Sequence, residues 1–188
     1  MSDETSLTLR QLTQQFSQPG NLDAIYLRPA RGVNCVAAQR VQAIAQKGLV
    51  GDRTSNSPSR NALAINSSDS KLQGSKRQIT LIQAEHIAVI GALMGKPIAA
   101  ALLRRNLVIS GINLLAAKSL FKDQPMILTI GEVILQVTGT CEPCGKMELQ
   151  LGRGGYNAMR GHGGVTARII KGGELKQGDA VYFSVAES

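Results

Sequence analysis

The residues of this chain best suited to chemistry lie in one short string, Gly139-Thr-Cys141-Glu-Pro-Cys144-Gly-Lys146. Its two thiols permit three chemistries. A Cys-x-x-Cys pair can be half of a zinc site, but zinc takes four ligands, or three and a water. The other soft donors are Cys35, His86 and His162, and none sits at knuckle spacing. The pair can be a dithiol redox couple, although the βαβ context of a thioredoxin-like protein is not evident around it. Alternatively, a single thiolate can bind a soft metal held mainly by other sulfurs. Arg104-Arg105 and Lys146 could lower a thiol pKa and receive an anion. The string also approaches a phosphate-binding P-loop and fails the test. Five residues rather than four separate Gly139 from Gly145, and Met147 stands where a Mg²⁺-binding Ser or Thr belongs.

The neighbourhood is unusual. Eleven of the 20 glycines fall between Gly139 and Gly178. Glycine lets backbone N–H groups come close to a ligand, so this region is either an anion cradle or a set of tight turns. The chain carries a formal charge of +8, which attracts anions. Its cations are scattered, a pattern that favours a local anion site over an extended nucleic-acid groove. Nucleic-acid barrels stack bases on aromatic side chains, and here three Phe and three Tyr are dispersed without any Trp. An odd three cysteines is not a disulfide framework. The acidic, polar start resembles neither a signal nor a transit peptide. The most apolar stretch, Ile79 to Leu103, is broken by Gln83, Glu85, His86 and Lys96, so no membrane span is expected. A reducing cytoplasm is the expected compartment.

The elements that must position these residues are short. Residues 1–20 read as an N-terminal helix or mobile arm, and residues 21–186 as a single domain. Leu22–Arg28 reads as a strand and Val33–Ile44 as one extended stretch. Residues 54–76 form a Ser-, Asn- and Lys-rich segment expected to be a long polar surface loop. Arg77–Ile82 is a predicted strand. Ala84, Ile87, Ala88, Gly91 and Met94 recur at helical spacing over Gln83–Met94, and Gly95 before Lys96-Pro97 is a stop signal. Ile98–Leu103 is a second short helix and Leu107–Ser110 a strand. Met126–Thr138 is a hairpin turned by Gly131-Glu132. Val165–Ile170 and Ala180–Ser184 complete the set. Seven or so strands with two modest helices, and without regular strand–helix alternation, predict a mainly β chain forming a closed or nearly closed barrel.

Five strings, taken in order, resemble the MOSC domain, the module named for the C-terminal part of molybdenum-cofactor sulfurases. They are Arg104-Arg105-Asn106-Leu-Val-Ile-Ser-Gly-Ile112, Ile130 to Thr138, Cys141-Glu-Pro-Cys144, Gly163-Gly164-Val-Thr-Ala-Arg168, and Gly173 to Asp179. Gly48 to Arg53 and Arg77 to Ile82 resemble it too, so the likeness runs over roughly 22–184. It implies a β-barrel with flanking helices and a molybdenum cofactor of pterin type; the family is also associated with pyridoxal phosphate. Several members reduce N-hydroxylated substrates, and the resemblance then implies that Cys144 is both the catalytic residue and the molybdenum ligand. It further implies that Arg104, Asn106 and, less directly, Arg105 contact the cofactor, with Gly163, Gly164 and Arg168 in the same binding set. Cys141 becomes a structural or resolving thiol, and Asp52 and Arg53 support the site. The partners implied are a small N-oxygenated substrate and an external electron-donor protein.

Duller readings stand beside each of these. Cys35 reads as a small buried hydrophobe. Arg104 and Arg105 read as cations at a helix end. Asp52 and Arg53 read as a structural ion pair. His86 reads as a half-buried neighbour and His162 as a turn residue. Two other functions compete: a sulfur carrier with a Cys144 persulfide loaded by a cysteine desulfurase, and a non-enzymatic basic barrel for nucleic acid.

Overall fold

The computed structural model describes residues 7–55 and 75–186. Most of the polar segment expected over 54–76 therefore lies outside the described residues, as do residues 1–6.

The chain forms the mainly β barrel expected of it. Strand β1 (Gly20–Leu27) is followed by β2 (Val36–Ala38), β3 (Arg40–Ile44) and β4 (Gly48–Leu49). Then come β5 (Ile79–Gln83), helix α2 (Ala84–Met94), β6 (Leu107–Ser110), β7 (Met126–Ile130) and β8 (Val133–Thr140). Helices α3 (Gly145–Leu151) and α4 (Gly155–Met159) precede β9 (Val165–Lys171), β10 (Gly173–Lys176) and β11 (Ala180–Val185). A four-residue helix α1 (Leu9–Leu12) lies ahead of β1. It is held down by an Arg10–Asp123 ion pair and by the Phe16–Phe183 ring contact that follows it.

Seven strands close in the order β1, β11, β7, β8, β9, β5, β6, with β2 added to the far half of β1. The closing contact pairs Gly20 with Val181 and Asn21 with Ala180. All these pairings are antiparallel except β5–β6, where Leu81 opposes Leu107 in parallel. A parallel pair needs a crossover, and α2 supplies it. One βαβ unit thus exists, but the cysteines are not in it. A smaller sheet, β10–β3–β4, lies beside the barrel.

Alternation explains the core. In β7 and β8, Met126, Leu128, Ile130, Val133 and Leu135 are buried, and their neighbours face out. With Leu22, Ile79, Leu81, Leu107, Ile109 and Ala167 they fill the barrel with aliphatic side chains. A second cluster lies between the barrel and the helices, where Ile90 of α2 meets Leu103, Val108, Met147, Leu151 and Met159.

Three local expectations are corrected. Val33–Ile44 is not one stretch: β2 extends the barrel sheet and β3 the smaller one. Ile98–Leu103 contains only a 3₁₀ turn, Ala100–Leu103, because Pro97 and the short run leave no room for an α-helix. The glycine-rich region is not all turns, since it holds α3, α4 and β10.

Candidate functional site

The chemistry-bearing residues gather on one rim of the barrel, where β1 and β8 end and β6 and β9 begin. Under this rim lies a buried polar network. Arg28, just after β1, donates through Nε to Asp52 Oδ2 (2.9 Å) and through Nη2 to Asp52 Oδ1 (3.1 Å). Its Nη2 also donates to Asn106 Oδ1 (2.8 Å). Asn106, ahead of β6, donates through Nδ2 to Asp52 Oδ2 (2.8 Å) and to the Tyr26 carbonyl (3.1 Å). Its Oδ1 also accepts from the Thr80 N–H and hydroxyl. The Thr54 N–H and hydroxyl donate to Asp52 Oδ1. Burial alone would raise the Asp52 pKa. The Arg28 guanidinium and the Thr54 donors outweigh it and hold the carboxyl well below the usual range. The buried ion pair of Asp52 is therefore with Arg28, 24 positions away, rather than with its neighbour Arg53.

Arg105 is the second fastening. Its buried guanidinium donates to three main-chain carbonyls: Gly163 (2.7 Å), Leu103 (2.9 Å) and Cys141 (3.0 Å). It thereby ties the start of β6 to the cysteine loop and to the loop before β9. The Cys141 N–H donates to the Gly164 carbonyl (2.8 Å), closing the same junction. Both glycines are required by the protein's own packing. A Cβ on Gly163 would collide with the Cys141 carbonyl oxygen, and one on Gly164, at φ +84°, with that of Leu81.

Above this frame stand the thiols and the remaining cations. Cys144 is exposed at the head of α3, where its carbonyl accepts from the Met147 N–H (2.8 Å) and its side chain makes no capping hydrogen bond. Cys141 is half-buried. Burial pushes its thiol pKa up, against the pull of Arg105, Arg77 and Arg28. Cys35, between β1 and β2, is also half-buried and pushed up by burial, against Arg104 and Arg28. Cys35 and Cys141 both meet Arg28, and Cys144 lies within electrostatic reach of Arg105. Arg53 lies within electrostatic reach of Arg28, Arg104 and Arg31, and of Asp52, which is bound to Arg28. Arg104 adopts a left-handed backbone (φ 57°) and donates to the Val33 carbonyl (2.7 Å), pinning the β1–β2 loop to the rim. A non-glycine residue there carries strain of about 1 kcal/mol or more, a recurrent feature of functional sites.

Not every residue singled out from the sequence is brought here. Arg168 alternates with the core residues Ala167 and Ile169, faces outward on β9 and donates to Gln136 Oε1 (2.7 Å). His86 of α2 and His162 meet edge to face, with ring centroids 5.1 Å apart. Burial, then the charge of His162, lowers the His86 pKa against the pull of Glu85. Lys146 is exposed on α3. Arg28, Arg31, Arg77, Thr54 and Thr80 were not anticipated. Only Arg28, at the end of a predicted strand before Pro29, carries even a weak local signal. Among the described residues, no three His, Cys, Asp or Glu side chains are placed to share a metal ion, so zinc lacks a ligand set there. A groove whose lining includes Asn21, Asp23, Gln39 and Lys176 lies by the start of β1, at the opposite end.

The sequence model of the MOSC domain matches residues 68–182, more than half the chain. The chain belongs to the MOSC family. A comparison with curated proteins found no match. Among solved structures, this MOSC protein is similar to the YUAD protein from Bacillus subtilis at 16% identity. That likeness has a TM-score of 0.68 and covers 90% of this chain and 98% of that one. YiiM from Geobacillus stearothermophilus follows at 15% identity and TM-score 0.60, covering 90% and 76%. YiiM from Escherichia coli gives 17% and 0.59, covering 91% and 72%. At these identities the MOSC protein shares a fold with them. No helix among its described residues is long and apolar enough to cross a membrane.

Proposed function

We propose that this MOSC protein binds a pterin-based molybdenum cofactor at the cysteine rim, with Cys144 as the metal ligand, and reduces N-hydroxylated small molecules. The observation that carries the reading is an exposed thiol at the head of α3, within electrostatic reach of Arg105, on a rim where Arg28, Arg31, Arg53 and Arg104 also gather. The donor set suits this group. The pterin brings its own dithiolene sulfurs, so the protein needs to add one thiolate rather than a cage. The cofactor phosphate suits a cluster rich in guanidinium, which binds phosphate through charge-assisted, often bidentate bonds. Arg31, Arg53 and Arg104 would hold the phosphate and Cys144 the metal. When bound, the molybdenum centre supplies two-electron chemistry at the N–O bond.

The rest of the work falls to this chain's own side chains. Arg105 fixes the carbonyls of Cys141 and Gly163 and so sets the loop that presents Cys144. Asn106, with every polar atom satisfied by protein, positions β6 rather than touching a cofactor. Cys141, kept as a thiol by burial, leaves Cys144 as the accessible sulfur. Electrons come from a separate donor protein. The test is turnover of an aryl amidoxime with reduced viologen as donor, using protein made in a cofactor-producing host. Turnover that vanishes in Cys144→Ala is expected, and an inactive loaded wild type would overturn the reading.

The exposure of Cys144 also favours a second reading, a sulfur carrier. Its thiolate would take the terminal sulfur from a cysteine desulfurase persulfide. Mass spectrometry should then find a sulfur adduct on Cys144 after incubation with desulfurase and cysteine; an unmodified Cys144 rules this reading out.

A further inference from the structure

Helices α3 and α4 pack together as a layer over the second core cluster, which Met147, Leu151, Ala158 and Met159 enter. At about 100° per residue, Leu149 lies on the side of α3 opposite Met147 and Leu151. It is 84% exposed, more than any other large apolar side chain among the described residues. Tyr156, in the first turn of α4, is exposed as well. Lys146, Arg153 and Arg160 are exposed on the same two helices and the turn that joins them.

The charge of this layer is one-sided. From 145 to 160 the only carboxylate is Glu148. It turns back onto the Tyr156 and Gly154 N–H groups, both at 2.8 Å, which hold its carboxyl below the usual range. Among the described residues, no carboxylate comes within ion-pair distance of Lys146, Arg153 or Arg160. The next carboxylate along the chain, Glu142, precedes the thiol and lies outside the layer. Apolar and aromatic anchors with charge around them are the anatomy of a protein interface. The sign of that charge selects an acidic partner.

Its position selects the partner's role. Cys144 caps α3, and Leu149 lies five residues on, about 7.5 Å along the axis. Electron-transfer encounters bury less than about 600 Å² a side, a disc of about 14 Å radius. A partner seated on Leu149 therefore comes over Cys144.

We propose that the α3–α4 layer is the docking face for the electron donor, and that this donor is a small acidic one-electron carrier protein. The inference rests on the reductase reading of Cys144. Removing a hydroxyl from nitrogen takes two electrons and two protons. The N–O bond breaks, one proton goes to nitrogen and one to oxygen, and water leaves. Two donor molecules each give up one electron, and solvent supplies the protons.

Flavodoxin, an acidic flavin-mononucleotide protein, is the probe. Calorimetric titration of the full chain with oxidised flavodoxin should show binding that weakens about tenfold as ionic strength rises from about 0.05 to 0.3 M. Leu149→Glu should weaken it about tenfold and Arg153→Glu about fivefold, both with unchanged circular dichroism. Lys176→Glu makes the same charge change as Arg153→Glu at the opposite end of the barrel. It should shift Kd by less than about twofold, which separates a local face from the attraction of the whole +8 chain. In loaded enzyme, flavodoxin-driven turnover should fall in step with binding while viologen-driven turnover stays at the wild-type level. Overturning results are a wild type that binds no flavodoxin, a Leu149→Glu variant that binds as tightly as wild type, or equal losses in Lys176→Glu and Arg153→Glu. Binding to phosphatidylglycerol vesicles where flavodoxin is not bound also overturns it and makes the face a membrane contact. A loaded wild type inactive with viologen overturns the reductase reading; the titration needs no turnover and decides the docking face separately.

Discussion

Asn106 and Cys144 lie on the same rim and belong to different kinds of structure. Asn106 is fully buried, and its amide makes hydrogen bonds to Arg28, Asp52, Thr80 and Tyr26. Cys144 is exposed at a helix head, and its side chain does not cap the helix. The contrast separates a frame from a working face. Residues that resemble ligand contacts in sequence (Arg105, Asn106, Gly163 and Gly164) hold the rim together. The exposed Cys144 thiol is the working face of the proposed function.

The comparison breaks most visibly at Asp52. Asp52→Ala leaves Arg28 buried without its carboxylate and removes a bond from Asn106, and losing one partner of a buried pair costs about 3–5 kcal/mol. Urea unfolding should show that loss; a cost near that of a surface substitution would place the network outside the frame. The wild type should also lose stability in acid. A carboxyl whose pKa is lowered in the folded state stabilises above its unfolded value of about 3.8 and ceases to do so as pH falls through the folded value. The expected decline therefore sets in below about pH 4.

Arg105→Met comes next. It strips charged donors from three carbonyls, a cost of about 2–3 kcal/mol, and it frees the cysteine loop. The half-buried Cys141 should then react with iodoacetamide several-fold faster than in the wild type; an unchanged rate would mean that Arg105 does not hold that loop.

The smallest effect comes from His86. Its pKa is lowered by burial and then by His162, so the folded state disfavours its charged form. The stability it contributes is present above the ordinary histidine value of 6.5 and is lost as pH falls below it. Melting temperatures of the wild type should drop between pH 7.5 and pH 5.5, and by less in His86→Gln. Equal drops would remove the histidine pair from the account.

The sequence made the barrel legible wherever one local rule acted alone. Strict alternation marked β7 and β8, and helical spacing with Gly95 marked α2, which reaches Met94 as predicted. It failed where rules conflicted. Glycines at 145, 152, 154 and 155 read as turn residues, yet Gly145 and Gly155 open the helices α3 and α4, whose buried Met147, Leu151, Ala158 and Met159 are fixed by packing. The site was legible as a string but not as roles. Arg104, Arg105 and Asn106 are adjacent, yet one pins a loop, one clamps three carbonyls and one joins a network. No local pattern joins Arg28 to Asp52, because that pair exists only once β1 and the turn after β4 are packed together.

The most direct test of frame against working face is the molybdenum-to-chain ratio of Cys144→Ala, purified from a cofactor-producing host beside the wild type. The account predicts stoichiometric metal in the wild type and almost none in the variant, with melting temperatures that agree, since truncating an exposed side chain shifts stability by about 0.5 kcal/mol at most. A variant that keeps its molybdenum would contradict it.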